Sequence, residues 1–216
     1  MHHFNRRACL VGLAASATAF RFTDAWAQGG DIVIGQSASL SGPMGPPFMQ
    51  GAHDGQKVAF DEVNKRGGIN GRKIKHVLLD DAFDPKRALD NAKTLVDTHG
   101  AVALFGFLGT SQVAAVLPFL AERKVPLISA YSGSPALRVK HHPYFFTTQA
   151  SYTDELQQMV RQLTTLQAKE LAVVYQNNDL GKQLLPVAER VIAEQGATLT
   201  IARSLDSTGA DAAAVA

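Results

Sequence analysis

Residues 31–84 read DIVIGQSASLSGPMGPPFMQGAHDGQKVAFDEVNKRGGINGRKIKHVLLDDAFD, and the alternation within that stretch decides the fold class. Ile32-Val33-Ile34-Gly35 is a short apolar run of the kind that forms a buried parallel strand. The run Ser41-Gly42-Pro43-Met44-Gly45-Pro46-Pro47 then carries the chain over the strand end, because Gly and Pro do not continue a ladder. Between Gly51 and Arg66, the residues Ala52, Gly55, Ala59, Val63 and Arg66 recur at steps of three and four. That spacing predicts a helix whose small-residue face lies against a sheet. Gly67-Gly68 ends the helix, and Asn70-Gly71 turns the chain into a second strand over residues 72–79. Strand, helix and strand in this order make one parallel β-α-β unit, since parallel strands need a crossover.

The alternation continues. Asp84-Pro85 opens a helix with Pro at the first helical position, and Ala88, Ala92, Leu95, Val96 and His99 are expected to face inward. Residues 101–107 are apolar on both faces, as a central parallel strand should be. Leu108-Gly109-Thr110-Ser111 turns into a helix carrying Val113, Val116, Leu117 and Leu120 on one side. Thr110 or Ser111 is placed to cap that helix, leaving free N–H groups at its start. Residues 126–130 and 144–148 predict two more strands, separated by the polar loop Tyr131-Ser132-Gly133-Ser134-Pro135. At residues 149–152 the pattern restarts. A helix with Leu156, Met159, Val160 and Leu163 inward precedes a strand over 171–175 and a polar turn over 177–181. A helix to about Gln195, containing Pro186, and a strand over 197–203 follow. The expected fold is α/β, with two Rossmann-like lobes on parallel sheets. Their expected extents are 28–149 for the first lobe and 150–216 for a partial second. Ligands of open α/β sheets bind beyond the carboxyl ends of the strands, here the loops after Gly35, Phe107, Ala130 and Tyr175.

A chain of 216 residues with 46% hydrophobic composition has ample material for a globular core. Its first 27 residues read as a secretory signal: Arg6-Arg7 is the positive region, residues 8–20 the apolar core, and Ala25-Trp26-Ala27 a small-x-small cleavage site. The apolar core is too short to span a bilayer. The arginine pair fits the twin-arginine motif only loosely, so Sec export is the expectation. Cys9 follows Arg6-Arg7-Ala8, which is no lipidation motif. Cleavage removes Arg6, Arg7, Arg21 and Asp24 and leaves acidic and basic residues equal in number. A nucleic-acid partner, which would need a basic excess on one face, is therefore not expected. The single cysteine leaves with the signal, so the mature chain has no disulfide despite an oxidising destination.

Three phrases carry a family resemblance: LSGP at 40–43, FDEVNKRGGINGRKI at 60–74 and DDAFDP at 80–85. Together they closely resemble the leucine/isoleucine/valine-binding proteins, from about Asp31 to the C-terminus. The resemblance implies the type I periplasmic-binding-protein fold. It also implies a periplasmic, monomeric receptor that captures an amino acid or similar small carboxylate or amide for an ABC permease, with no cofactor and no metal. Thr110 matches the residue that holds a ligand carboxylate in relatives. Tyr131-Ser132-Gly133 matches the loop presenting carbonyl and hydroxyl acceptors. Phe48 falls near a family aromatic that packs on the ligand. Leu180 stands where branched-chain receptors often have an aromatic residue before a glycine, a departure that bears on leucine-type specificity. Phe83 and Gly109 match a cysteine pair found in some relatives, and Gly109 belongs with Thr110 to the expected site. Residues 204–216 resemble the loop and opening turn of the next family helix. The resemblance thus implies a receptor cut short, with a poorly ordered second lobe and Leu184, Ala188, Val191 and Ile192 partly uncovered.

Read without that resemblance, Thr110 simply caps its helix and residues 131–133 are a polar turn. Asp80, Asp81 and Asp84 read as helix caps and solvated turn charges rather than an acid/base or cation site. His141-His142 lacks a third ligand at metal spacing and reads as surface. The sequence carries no P-loop, GxGxxG or GxSxG motif, so an enzyme is not expected. Two rivals remain: a ligand-sensing regulator of the same fold, which would need a DNA-binding element, and a secreted α/β enzyme. Export is expected to cleave the chain between Ala27 and Gln28. N-terminal sequencing of the exported protein should begin at Gln28, and a start at His2 or His3 overturns the signal assignment.

Overall fold

The computed structural model describes residues 30–42, 46–206 and 209–215. The expected signal over residues 1–27 and the side chain of Phe48 lie outside the described residues. In the first lobe β1 (Ile32–Ala38), α1 (Pro46–Lys65), β2 (Ile74–Asp80) and α2 (Pro85–Lys93) follow one another. A π-helical turn (Thr94–Thr98), β3 (Ala103–Phe105), α3 (Thr110–Arg123), β4 (Leu127–Ile128) and β5 (Phe145–Phe146) complete it. The strands pair in the order β2-β1-β3-β4-β5, parallel throughout. The second lobe holds α4 (Tyr152–Thr165), β6 (Glu170–Gln176), α5 (Asp179–Glu194), β7 (Thr198–Leu205) and the single turn α6 (Ala212–Val215). Its two described strands are also parallel.

Local chemistry explains the punctuation. Gly68 has φ +79°, and a Cβ there would run into the Arg72 carbonyl, so only glycine fits. Asn70 and Gly71 both take positive φ, the backbone that a tight two-residue turn requires, and Ile69 bridges Arg72 across it. Asp84 accepts a 2.7 Å bond from the Arg87 amide and caps α2, with Pro85 at its first position. Ser151 and Asp154 form a reciprocal capping box at the start of α4.

One face of the first sheet is sealed by α2, the π-helical turn and α3. Leu95, Leu104, Phe107, Val113, Val116, Leu120 and Leu127 are buried together there. Replacing one of these leucines by alanine would remove packing worth about 2–5 kcal/mol. On the other face lies α1, in a different rotation from that expected. The helix begins at Pro46 and turns Met49, His53, Gln56 and Phe60 inward, while Gly55 and Ala59 are exposed. The 49-53-56-60 spacing is helical, but two of its four members are polar, so hydrophobicity alone did not reveal it.

Other expectations also shift. The π-helical turn inserts an extra residue per turn and rotates His99 out to solvent, while Ala88, Ala92 and Leu95 stay buried. Val102, expected inside a central strand, is exposed. In the second lobe Met159 and Leu163 of α4 are exposed, and only Val160 of the expected face is buried. Conversely, Ala188, Val191 and Ile192 of α5 are buried, against the expectation that they would be uncovered. Val174 and Ile201, on the far side of that sheet, are exposed as well.

Two titratable groups tie the first lobe to pH. His76 lies against Phe60 (5.3 Å between ring centroids) and His53 (5.7 Å) under α1, and its buried Nε2 has no partner among the described residues. Burial, and secondarily the nearby His53, hold its pKa below the usual imidazole value. The unfolded chain therefore takes up the proton more readily. Stability is full above about pH 6.5 and falls as pH drops below it. The melting temperature should fall between pH 7.5 and 5.5 and fall less in His76→Phe. A flat wild-type profile refutes this. Asp80 behaves differently. Burial pushes its carboxyl up, but bonds from the Ser41 hydroxyl and the Ala82, Leu40 and Ser41 amides outweigh that and hold it down at about 2. The stabilisation is complete above the ordinary carboxylate value of about 3.9 and is lost as pH falls through about 2. Asp80→Asn should melt lower at pH 7 and lack the acid limb, as thermal scans at pH 7, 4 and 2 would reveal. A variant matching wild type at all three would count against this role of Asp80.

Candidate functional site

The carboxyl ends of β2, β3, β4 and β6 meet at one cleft of about 370 Å³. That is at the small end of the roughly 300–1,000 Å³ range of small-molecule sites, so it suits a ligand the size of one amino acid. The first lobe contributes Phe83 and Pro85 after β2, residues 108–112 after β3, and Tyr131 after β4. The second contributes Tyr152 from α4, Gln176 from β6 and residues 178–180 from the start of α5.

Thr110 is the first residue of α3, and Gly109 (φ +100°) occupies the cap position with no side-chain cap. This corrects the expectation that Thr110 or Ser111 caps the helix. The Thr110 hydroxyl instead lies 2.8 Å from the Ser132 hydroxyl. The amides of the first turn have no intrahelical partner, so this end of α3 presents N–H groups and a partial positive charge beside the cleft. Gly109 is required on steric grounds as well: a Cβ there would strike the Gln112 side chain and come within 3.0 Å of Phe83 Cε2.

Of the residues expected from the sequence, Gly109, Thr110, Tyr131 and Leu180 line the cleft together. Ser132 is 1% exposed and stands behind Thr110, where its hydroxyl also accepts from the Ser134 amide at 3.3 Å. Gly133 is buried beneath Tyr152, whose ring leaves 2.6 Å for any added Cβ; its carbonyl accepts from the Tyr152 amide at 2.7 Å. Neither is among the lining residues. Sequence reasoning missed Phe83, Gln112, Tyr152 and Asp179. The signal for Phe83 is its position, because the loop after β2 is also a carboxyl end.

The three aspartates part company. Asp84 is a cap and Asp80 binds turn amides. Asp81 is not a solvated charge: it is 1% exposed, accepting from the Ser37 hydroxyl at 2.7 Å and the Phe83 amide at 2.9 Å. Burial pushes its pKa up, against the pull of the Ser37 and Phe83 bonds. His142 is half-buried rather than surface, its Nε2 2.9 Å from the Leu117 carbonyl oxygen. Among the described residues no group of three His, Cys, Asp or Glu stands together to hold a metal, and no helix is long and apolar enough to cross a membrane. A second groove of about 380 Å³ lies between α4, β6 and α5, walled by Leu156, Met159, Leu184 and Leu185. Glu155 and Gln176 also line it, but its wall is chiefly apolar and it has no counterpart of the uncapped start of α3, so the cleft at the strand ends is the candidate site.

Comparison with known proteins agrees with this architecture. The chain is 28% identical over 192 residues to Leu/Ile/Val-binding protein homolog 3 of Brucella melitensis, covering 88% of this chain and 49% of that protein. It is 30% identical over 181 residues to an amino acid binding protein of Pseudomonas aeruginosa, covering 81% and 46%. The chain thus spans about half the length of the curated relatives it matches. A substrate-binding periplasmic protein from Ralstonia solanacearum superposes with a TM-score of 0.75 at 30% identity, covering 85% of this chain and 52% of that one. A family profile described as "Periplasmic binding protein" matches residues 31–216; by that match, and with the two-lobed parallel α/β fold, this chain belongs to the periplasmic binding protein family.

Proposed function

We propose that this chain is an extracytoplasmic receptor that binds an amino acid, or a similar small carboxylate or amide, and delivers it to an ABC permease. The observation that carries the reading is the cleft between the lobes, with an uncapped helix start and the paired Thr110 and Ser132 hydroxyls on one side. An α-carboxylate suits that side, through hydrogen bonds to amides and hydroxyl and through the positive helix end. On the other side Asp179 lines the cleft, and a carboxylate there suits an ammonium group. Phe83, Leu108, Leu180 and the Tyr131 and Tyr152 rings supply apolar wall. The names of the relatives, Leu/Ile/Val-binding and amino acid binding, support the same ligand class. Binding is the whole task on this reading. Closure of the two lobes needs a ligand that contacts both and so favours the closed state, and the receptor acts as a monomer.

Losing a hydrogen bond to a charged group costs about 1.5–3 kcal/mol, or roughly ten- to a hundredfold in affinity. In calorimetric titrations of amino acids into the 216-residue chain, Thr110→Ala should weaken binding by that amount. Ser132→Ala should weaken it less, since its hydroxyl acts by orienting that of Thr110. Equal affinities in wild type and both variants would make these loops structural only.

A further inference from the structure

We propose that Phe83 is a specificity-determining residue of the cleft, held in place by Asp81 and Gln112 as positioning residues. The inference rests on the receptor reading above and adds to it what selects among ligands. Phe83 follows β2 and lines the cleft with Pro85, Leu108 and Leu180. Ala82 and Phe83 are consecutive non-glycine residues in the left-handed region, at φ 48° and 63°. Such a pair is strained and persists only where the surroundings over-determine it.

Three hydrogen bonds do so. The Ala82 amide donates to Asp80 Oδ1 (2.9 Å), the Phe83 amide to Asp81 Oδ1 (2.9 Å), and Gln112 Nε2 to the Phe83 carbonyl (2.6 Å). Asp81 and Gln112 are themselves buried, and Asp81 is anchored to Ser37 of β1. The ring packs against the cluster of Ala38, Met49 and Leu108. Its edge stands over Gly109, where an added Cβ would lie 3.0 Å from Cε2. Backbone and ring are thus both fixed, and the volume Phe83 occupies is denied to the ligand. A rigid ring at an apolar wall excludes large side chains more than it attracts small ones, and specificity of that kind is a difference of affinities. The site should take amino acids with small or branched aliphatic side chains in preference to aromatic ones.

The test is calorimetric titration of the full chain with alanine, leucine and phenylalanine, each protein being checked by thermal melting. Phe83→Ala should move the phenylalanine-to-leucine affinity ratio toward phenylalanine by about tenfold or more, the scale of a vacated hydrophobic pocket. Phe83→Leu, which keeps most of the packing, should move it in the same direction by less, and it decides the matter if the alanine variant does not fold. Gln112→Met removes the donor to the Phe83 carbonyl and should move the ratio the same way, which a purely structural role would not do. An unchanged ratio in the Phe83 variants, with wild type binding, overturns this inference alone. Wild type binding none of the three also overturns this inference, whereas the receptor reading falls only if a wider panel of amino acids, small carboxylates and amides fails to bind as well.

Discussion

A parallel sheet must be covered on both faces, and this chain meets that demand unequally. In the first lobe α2, the π-helical turn and α3 seal one face with a continuous aliphatic cluster. Each side chain taken fully out of water there contributes about 1.5–3 kcal/mol. The opposite face receives α1, whose inward residues include His53 and Gln56, and Ile128 and Phe146 toward the far edge stay exposed. The second lobe repeats the pattern, with Val160, Val191 and Ile192 buried on one face and Val174 and Ile201 open on the other. The sealed faces fix the strands, and the strands fix which loops converge at their carboxyl ends.

The turn after β2 joins these layers to the cleft. Asp80 reaches back to the Leu40 and Ser41 amides of the loop after β1, while Asp81 reaches to Ser37 of β1 itself. Asn91 of α2 donates to both the Ser37 hydroxyl and the Asp80 carbonyl. One short acidic stretch therefore ties two loops, a strand and a helix together. The two carboxyls are stabilised in different ways, Asp80 by amides at a partly exposed turn and Asp81 inside the fold. Adjacent identical residues thus titrate in opposite directions from their ordinary value.

The β-α-β rhythm, the glycine turn at 67–71 and the Asp84-Pro85 start were legible because each depends on local backbone chemistry. What escaped were features set by tertiary contacts. The rotation of α1 sets the His53 ring 5.7 Å from that of His76 and Gln56 Nε2 3.4 Å from the Tyr131 hydroxyl, and no hydrophobic period encodes it. The extra residue in the turn after Lys93 displaced His99, since a π turn has no reliable composition signal. Thr110 is a good cap by type, yet Gly109 takes that position because Phe83 and Gln112 leave no room for a Cβ. The burial of Asp81 follows from Ser37, 44 residues away, a pairing that only the register of β1 and β2 brings about.

The two helix starts that frame the cleft are alike in position and unlike in electrostatics. Both follow a parallel strand, α3 after β3 and α5 after β6. The start of α3 has glycine at its cap and no side chain to satisfy its amides, so its positive end is left for something else to neutralise. At α5 the Asn178 side chain accepts from the Gly181 amide at 3.0 Å, and Asp179 adds a negative charge in the first turn. One wall of the cleft is therefore electropositive and the other is neutralised and acidic. A dipolar ligand between them gains only in one orientation, and it gains most when both walls touch it. Under the receptor reading that difference is what couples binding to closure, because a ligand shifts a two-state equilibrium only as far as it prefers one state.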